Sequence, residues 1–254
     1  MLKLVARLVS YVVFLTAAGG AFADPAGQAQ GVDPQAEARA AQTRTLVVGA
    51  DIFIGDRIVT GPSGQVQILF ADNTKLVVGP RSALRIEDYL LREDGSAGRM
   101  VLDALGGTYR FVTGSAPKDR YRINTPGGTI SVRGTALELW VGGGLAYALV
   151  QHGIICSGNE CADNVCEVLK VAGGDSEVMG STGDFTGKER AQLKQWFKYA
   201  VNESSLMGKF RLPKGLDCLR RSPPTGGGKS MIEQGPDEGR RNDDQCEGYD
   251  CRLF

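Results

Sequence analysis

The chain has 254 residues, with 29 basic and 29 acidic side chains and a single histidine. Charge this evenly balanced gives no global field to draw nucleic acid or an anionic membrane surface, so neither is expected as a partner. One histidine leaves His152 as the sole imidazole for a serine hydrolase triad, and no G-x-S-x-G elbow accompanies it.

Lys3 and Arg7 precede an apolar run from Leu8 to Ala18, and Ala21-Phe22-Ala23 has the small-x-small form of a cleavage site. The pattern predicts an export signal over residues 1–23, cut before Asp24. The run is short against the roughly 20 residues a spanning helix needs, and nothing later is long and apolar enough to take its place. The expected product is periplasmic or secreted, with no stable membrane span after cleavage.

Residues 24–43, "DPAGQAQGVDPQAEARAAQT", hold almost no large apolar side chain, which predicts a mobile leader. From 44 to 183 short runs rich in Val, Ile, Leu, Thr, Phe and Tyr alternate with Gly, Asp, Asn and Pro steps. That texture predicts an all-β domain, a coiled or solenoid-like stack of short strands. In "QVQILF" the residues Val66, Ile68 and Phe70 recur at every second position, as a half-buried strand requires. Asp72-Asn73 then separates two apolar runs and tolerates the positive φ of a tight turn. Glycine, 35 residues in all, is about twice its ordinary share of roughly 7% and falls mainly at strand ends.

Over 184–208 the period changes. Thr186 and Glu189 are spaced as a capping box. Leu193, Trp196, Phe197, Ala200 and Val201 then follow as the apolar stripe of one amphipathic helix that docks on the β domain and buries Trp196. Residues 209–254 lose all periodicity and read as an irregular tail held at its cysteines. "TGGGKS" at 225–230 is not a phosphate loop, because Pro223 stands where the first glycine is required.

Cys156, Cys161, Cys166, Cys218, Cys246 and Cys251 all lie in the second half and fit disulfide pairing in an oxidising compartment. Spacing suggests Cys156 with Cys166 across a hairpin, Cys161 with Cys218 as a staple from body to tail, and Cys246 with Cys251. The C-x4-C-x4-C spacing lacks the short pairs and histidines of zinc sites, so no metal is assigned, and nothing in the sequence calls for a cofactor. Asp51, Asp56 and Asp72 sit at strand corners, where carboxylates ordinarily hydrogen-bond nearby amides. No residue is assigned a catalytic role.

Four stretches carry a family likeness: "GDRIVTG" with Gly55, Asp56, Thr60 and Gly61; "FADNTKLVVGPRSAL" with Asp72 and the Gly79-Pro80 corner; "LGGTYRFV"; and "TPGGTISVRGTALEL" with Arg133-Gly134-Thr135. In this order and spacing they resemble the FecR domain family, from about residue 44 to 155 and more faintly to 180. The resemblance implies a β-rich extracytoplasmic domain. In the family's ferric citrate regulator, such a domain follows a cytoplasmic anti-sigma segment and a membrane helix and senses a transporter's signalling domain. This chain is expected to lack both segments and to have an export signal and a cysteine-rich tail instead.

The glycine inside "TISVRGTALELWV" has a physical reading. A coiled sheet turns corners where a Cβ would clash or φ must be positive, and Gly134 permits such a corner. Thr135 would then hydrogen-bond across it, with Val132 and Leu137 directed to the core. These features predict a non-enzymatic binding or sensing module for another envelope protein or a polysaccharide, acting in signal transduction. Two alternatives are a disulfide-stapled assembly component, whose oligomeric state the sequence leaves open, and a polysaccharide-active enzyme using paired carboxylates.

Overall fold

The computed structural model describes residues 24–95, 97–115, 120–213 and 218–219. The expected export signal, the 225–230 run, Cys246 and Cys251 lie outside these residues. The described residues form fifteen strands: β1 (Gly27–Asp33), β2 (Ala36–Arg39), β3 (Thr43–Thr45), β4 (Asp51–Ile52), β5 (Arg57–Thr60), β6 (Gln65–Phe70), β7 (Lys75–Val78), β8 (Ala83–Leu91), β9 (Ala97–Val112), β10 (Tyr121–Thr125), β11 (Gly128–Gly142), β12 (Leu145–Ser157), β13 (Glu160–Ala162), β14 (Glu167–Ala172) and β15 (Asp175–Ser181). Then come α1 (Gly187–Trp196), α2 (Lys198–Val201) and a 3-10 turn at Gly208–Phe210. The all-β expectation holds.

All fifteen strands belong to one hydrogen-bonded sheet, folded over into two layers. Three long strands make the fold by changing partners halfway. The first part of β9 pairs with β8 and β10, and its last six residues pair with β7 and β11. β11 passes from β10 to β9, while β12 runs with β13 at its end and with β14 at its start. A front layer thus contains β4, β1, β6, β7, the ends of β9 and β11, the start of β12, β14 and β15. A back layer contains β3, β2, β5, β8, the start of β9, β10, the start of β11, the end of β12 and β13. Pairing is antiparallel apart from β9 with β10, so the sheet coils by bending long strands and not by stacking the parallel ladders of a solenoid. Ile58, Leu102 and Ile130 from the back layer and Ile68, Phe111 and Leu139 from the front meet in one apolar core.

The Arg133-Gly134-Thr135 step is a bend. Gly134 has φ +60° and its neighbour across the ladder, Gly153, has φ +77°. The β11–β12 register shifts between Arg133 and Leu137. A Cβ on Gly153 would lie 2.1 Å from the Gly134 carbonyl oxygen, so a side chain there would force the two backbones apart. The Thr135 hydroxyl donates to the Ile154 carbonyl at 2.8 Å, and Val132 and Leu137 both enter the core.

Residues 24–43 are not a mobile leader. β1 lies between β4 and β6, and β2 lies between β3 and β5. Ala26, Ala29, Ala36 and Ala38 are at most 2% exposed. Alanine loses no rotamer freedom on burial, so backbone pairing at both edges orders a segment that lacks large apolar groups.

The helix expected over 184–208 is present, in two pieces. Phe197, with φ −101° and ψ +62°, separates α1 from α2, and Thr186 stands at the N-cap without a side-chain hydrogen bond. Leu193, Phe197 and Ala200 pack on Leu149 and Val168 of the front layer's outer face. Trp196 is only half-buried and stacks on Trp140 and Tyr147 at 4.6 and 4.4 Å. The chain continues to cover the same face, with Tyr199, Leu206 and Phe210 over Val77. Part of the tail is therefore docked: Phe210, Cys218 and Leu219 are buried.

The disulfides differ from the spacing-based pairs. Cys156 joins Cys161 inside the β12–β13 hairpin, where the two are directly cross-strand. Cys166, at positive φ, joins Cys218 and ties the tail to the start of β14. Cross-strand register brings Cys156 and Cys161 together, and that register was not legible from residue spacing.

Candidate functional site

The residues singled out from the sequence separate into two ends of the layered sheet. At one end the Asp72 side chain is fully buried and accepts from the Thr74 amide and hydroxyl at 3.1 and 2.7 Å and from the Tyr121 and Tyr89 hydroxyls at 2.8 and 3.3 Å. The Asp72 backbone carbonyl accepts from the Ser115 amide, and Thr135 exchanges hydrogen bonds with Thr113 beside it. Asn73 has φ +66°, as its place in the turn requires. Arg133 is exposed. Burial and the nearby Asp72 charge push the Tyr89 phenol well above its ordinary range. Asp72 thus closes its own turn through Thr74 and ties it to the strands that carry Tyr89 and Tyr121.

At the other end Thr60 donates to the Gly79 carbonyl at 2.6 Å and accepts from the Ser82 amide at 2.9 Å. The Gly61 carbonyl accepts from the Arg81 amide at 3.0 Å. A Cβ at Gly79 would lie 2.8 Å from the Thr108 carbonyl oxygen, so the Gly79-Pro80 corner lies against the bend of β9. Gly55, at φ +87°, turns the chain into Asp56. Asp56 is buried, accepts from the Phe53 amide at 2.9 Å and pairs with Arg44 at 2.6 Å. Asp51 is exposed at the edge, and His152 is exposed on β12 opposite Ala136.

Beneath α2 lies a buried charge cluster that sequence reasoning missed. Arg110 and Glu138 are fully buried and 2.6 Å apart, and Arg110 also contacts Glu203. Glu138 accepts from the Tyr199 amide at 3.1 Å, and Glu203 accepts from the Leu212 amide at 3.1 Å. Burial works against the Arg110 charge, but Glu138 and Glu203 outweigh it and hold the guanidinium above its ordinary value. The only signal in the sequence is two charged residues, Arg110 and Glu138, inside otherwise apolar strand runs. The two acids converge on one guanidinium and not across a cleft, so the cluster locks the cover to the sheet.

One concave site opens at the Gly79-Pro80 end. It has a volume of about 370 Å³ and lies where the β7–β8 turn, the β9 bend and the end of β11 meet the break between α1 and α2. Pro80, Trp140 and Val141 give it apolar walls, and Arg81, Lys198, Gln195 and Thr108 give it polar ones. Of the sequence-selected residues it takes in Pro80. Arg81 has φ +53°, an uncommon conformation for a residue with a long side chain. Burial and the Arg81 charge both lower the Lys198 ammonium from its ordinary value. Among the described residues, no group of three or more His, Cys, Asp or Glu side chains gathers as a metal site, and no helix is long and apolar enough to cross a membrane.

No curated protein matches the chain. A solved cell surface anchoring domain is 34% identical over 24% of this chain and 82% of its own length, with a TM-score of 0.23. Two solved structures of candidate anti-sigma factors from Parabacteroides distasonis are 12% and 11% identical, with TM-scores of 0.39 and 0.38. They cover 49% and 56% of this chain, and 59% and 74% of their own lengths. Residues 56–155 match the family model described as FecR protein, a span that begins at Asp56 ahead of β5 and ends at Ile155 within β12. The strands before and after that span complete both layers of the sheet. The likeness to the FecR family is thus carried by residues 56–155.

Proposed function

We propose that the chain is a non-enzymatic, exported binding or sensing module of the cell envelope, acting in signal transduction by recognising another envelope protein or a polymer. The match of residues 56–155 to the FecR family carries this reading. The two disulfides agree with it, since such bonds persist in oxidising compartments. So does the use of Asp56 and Asp72 as buried strand ties, which leaves the sheet a rigid platform.

The test is crosslinking of the tagged full chain in its own host's envelope, followed by mass spectrometry of the captured material. A transporter, receptor or defined polymer captured reproducibly is the expected result. Recovery of the chain only in the cytoplasm, or with no reproducible partner, would remove the proposal.

A further inference from the structure

The pocket at the Gly79-Pro80 end joins two positive side chains without a carboxylate. No ion pair is found for Arg81 or Lys198 among the described residues, although both line the same cavity. Like charges held near each other in a partly enclosed space repel, and an anion placed between them relieves that repulsion. The placement is built into the fold. Arg81 is fixed at positive φ by the bond from its amide to the Gly61 carbonyl, and the break at Phe197 puts Gln195 and Lys198 on the cavity from two different helices. Strained backbone of this kind persists where the surroundings enforce it, often at binding sites.

The remaining walls indicate what carries the anion. Gln195 and the Thr108 hydroxyl supply neutral hydrogen-bonding groups, and Pro80, Val141 and the Trp140 ring supply apolar surface. A sugar ring presents hydroxyls at its rim and C–H groups on its faces, which suits a mixed lining of this kind. An extended acidic peptide would instead look for a groove or a sheet edge. The volume, about 370 Å³, lies within the usual range for small-ligand pockets. We infer that this pocket binds an anionic sugar unit, with the sugar's carboxylate between Arg81 and Lys198 and its ring against Trp140 and Pro80.

The test titrates the full chain with digalacturonic acid, with a neutral disaccharide, inorganic phosphate and a short poly-glutamate peptide as comparison probes, read by calorimetry. Both Arg81 and Lys198 are exposed, so Arg81→Gln and Lys198→Gln should fold normally, as circular dichroism would check. The expected result is binding of the uronate that weakens about tenfold in each variant and with added salt, and no binding of the neutral sugar. No uronate binding, equal binding of phosphate, preference for the peptide, or uronate binding unchanged in both variants would each overturn the inference. If the uronate titration fails while an envelope partner is still captured, the proposed function stands and the sugar site alone is lost.

Discussion

Three strands, β9, β11 and β12, run through both layers, yet their burial changes as they pass from one to the other. In β9 the back-layer residues from Gly98 to Leu105 alternate between buried and more exposed, while every residue from Thr108 to Val112 in the front layer is buried. β11 shows the same change, alternating up to Arg133 and then buried from Thr135 to Leu139. What differs is the cover. The helices and the turn after them lie on the front layer's outer face, whereas the back layer turns Arg57, Arg85, Glu87, Arg99 and Arg122 outward. A residue's position along a strand therefore sets which layer it serves, and the layer sets the cost of changing it.

The largest expected effect comes from alkali. Burial raises the Tyr89, Tyr109 and Tyr199 phenols above their ordinary value of 10.0, so the folded chain keeps protons that the unfolded chain gives up. Their stabilisation is complete below about pH 10 and is lost as pH rises above it. Ionisation of these three phenols, separated from the chain's other tyrosines by absorbance differences between single Tyr→Phe variants and the parent, should thus coincide with loss of the β signal in circular dichroism. Ionisation of these three phenols well before unfolding would show their rings to be open to solvent.

Glu138→Ala should cost about 3–5 kcal/mol in denaturant unfolding, since it leaves a buried guanidinium half-compensated. Arg85→Ala on the back layer should change stability by about 0.5 kcal/mol or less, because its partner Glu87 is also exposed. Equal effects at these two positions would erase the distinction between layers.

The disulfides should separate in the same manner. Cys166–Cys218 closes a separation of 52 residues and secures the cover, so its removal should cost about 4 kcal/mol by the chain-entropy relation. Cys156–Cys161, with a separation of 5, should cost about 2 kcal/mol. Paired Cys→Ser variants compared by thermal unfolding would check the order.

At the bend between the layers, Gly134→Val should cost about 2 kcal/mol or more, because a β-branched residue is strained at this φ. Arg133→Ala, one residue earlier and exposed, should cost about 0.5 kcal/mol or less. Unchanged unfolding of Gly134→Val would remove the reading of this glycine as a corner.

Val66, Ile68 and Phe70 face the core as their alternation requires, and the Asp72-Asn73 turn falls where two apolar runs meet a pair tolerant of positive φ. The other face of β6 was not legible. Gln65 and Gln67, at the alternate positions, are both buried: the Gln65 side chain accepts from the Tyr199 hydroxyl at 2.8 Å and that of Gln67 from the Met207 amide at 2.8 Å. Those partners lie more than a hundred residues away, and no local pattern announces them. Of the pocket, the sequence marked Pro80 as part of a motif, while Arg81 and Lys198 gained meaning only when the turn and the helix break met.

By itself the sequence determined that the chain would form many short strands with glycine corners, and it marked about residues 44–155 by motifs of the FecR kind, because side-chain periodicity and positive-φ requirements act over a few residues. Only the tertiary structure decided which outer face is covered, which cysteines pair, that the alanine-rich 24–43 segment becomes strand, and that Arg110 lies between Glu138 and Glu203. Each of these depends on contacts between segments far apart in the chain, whose free energy comes from burial and pairing that local propensity does not encode.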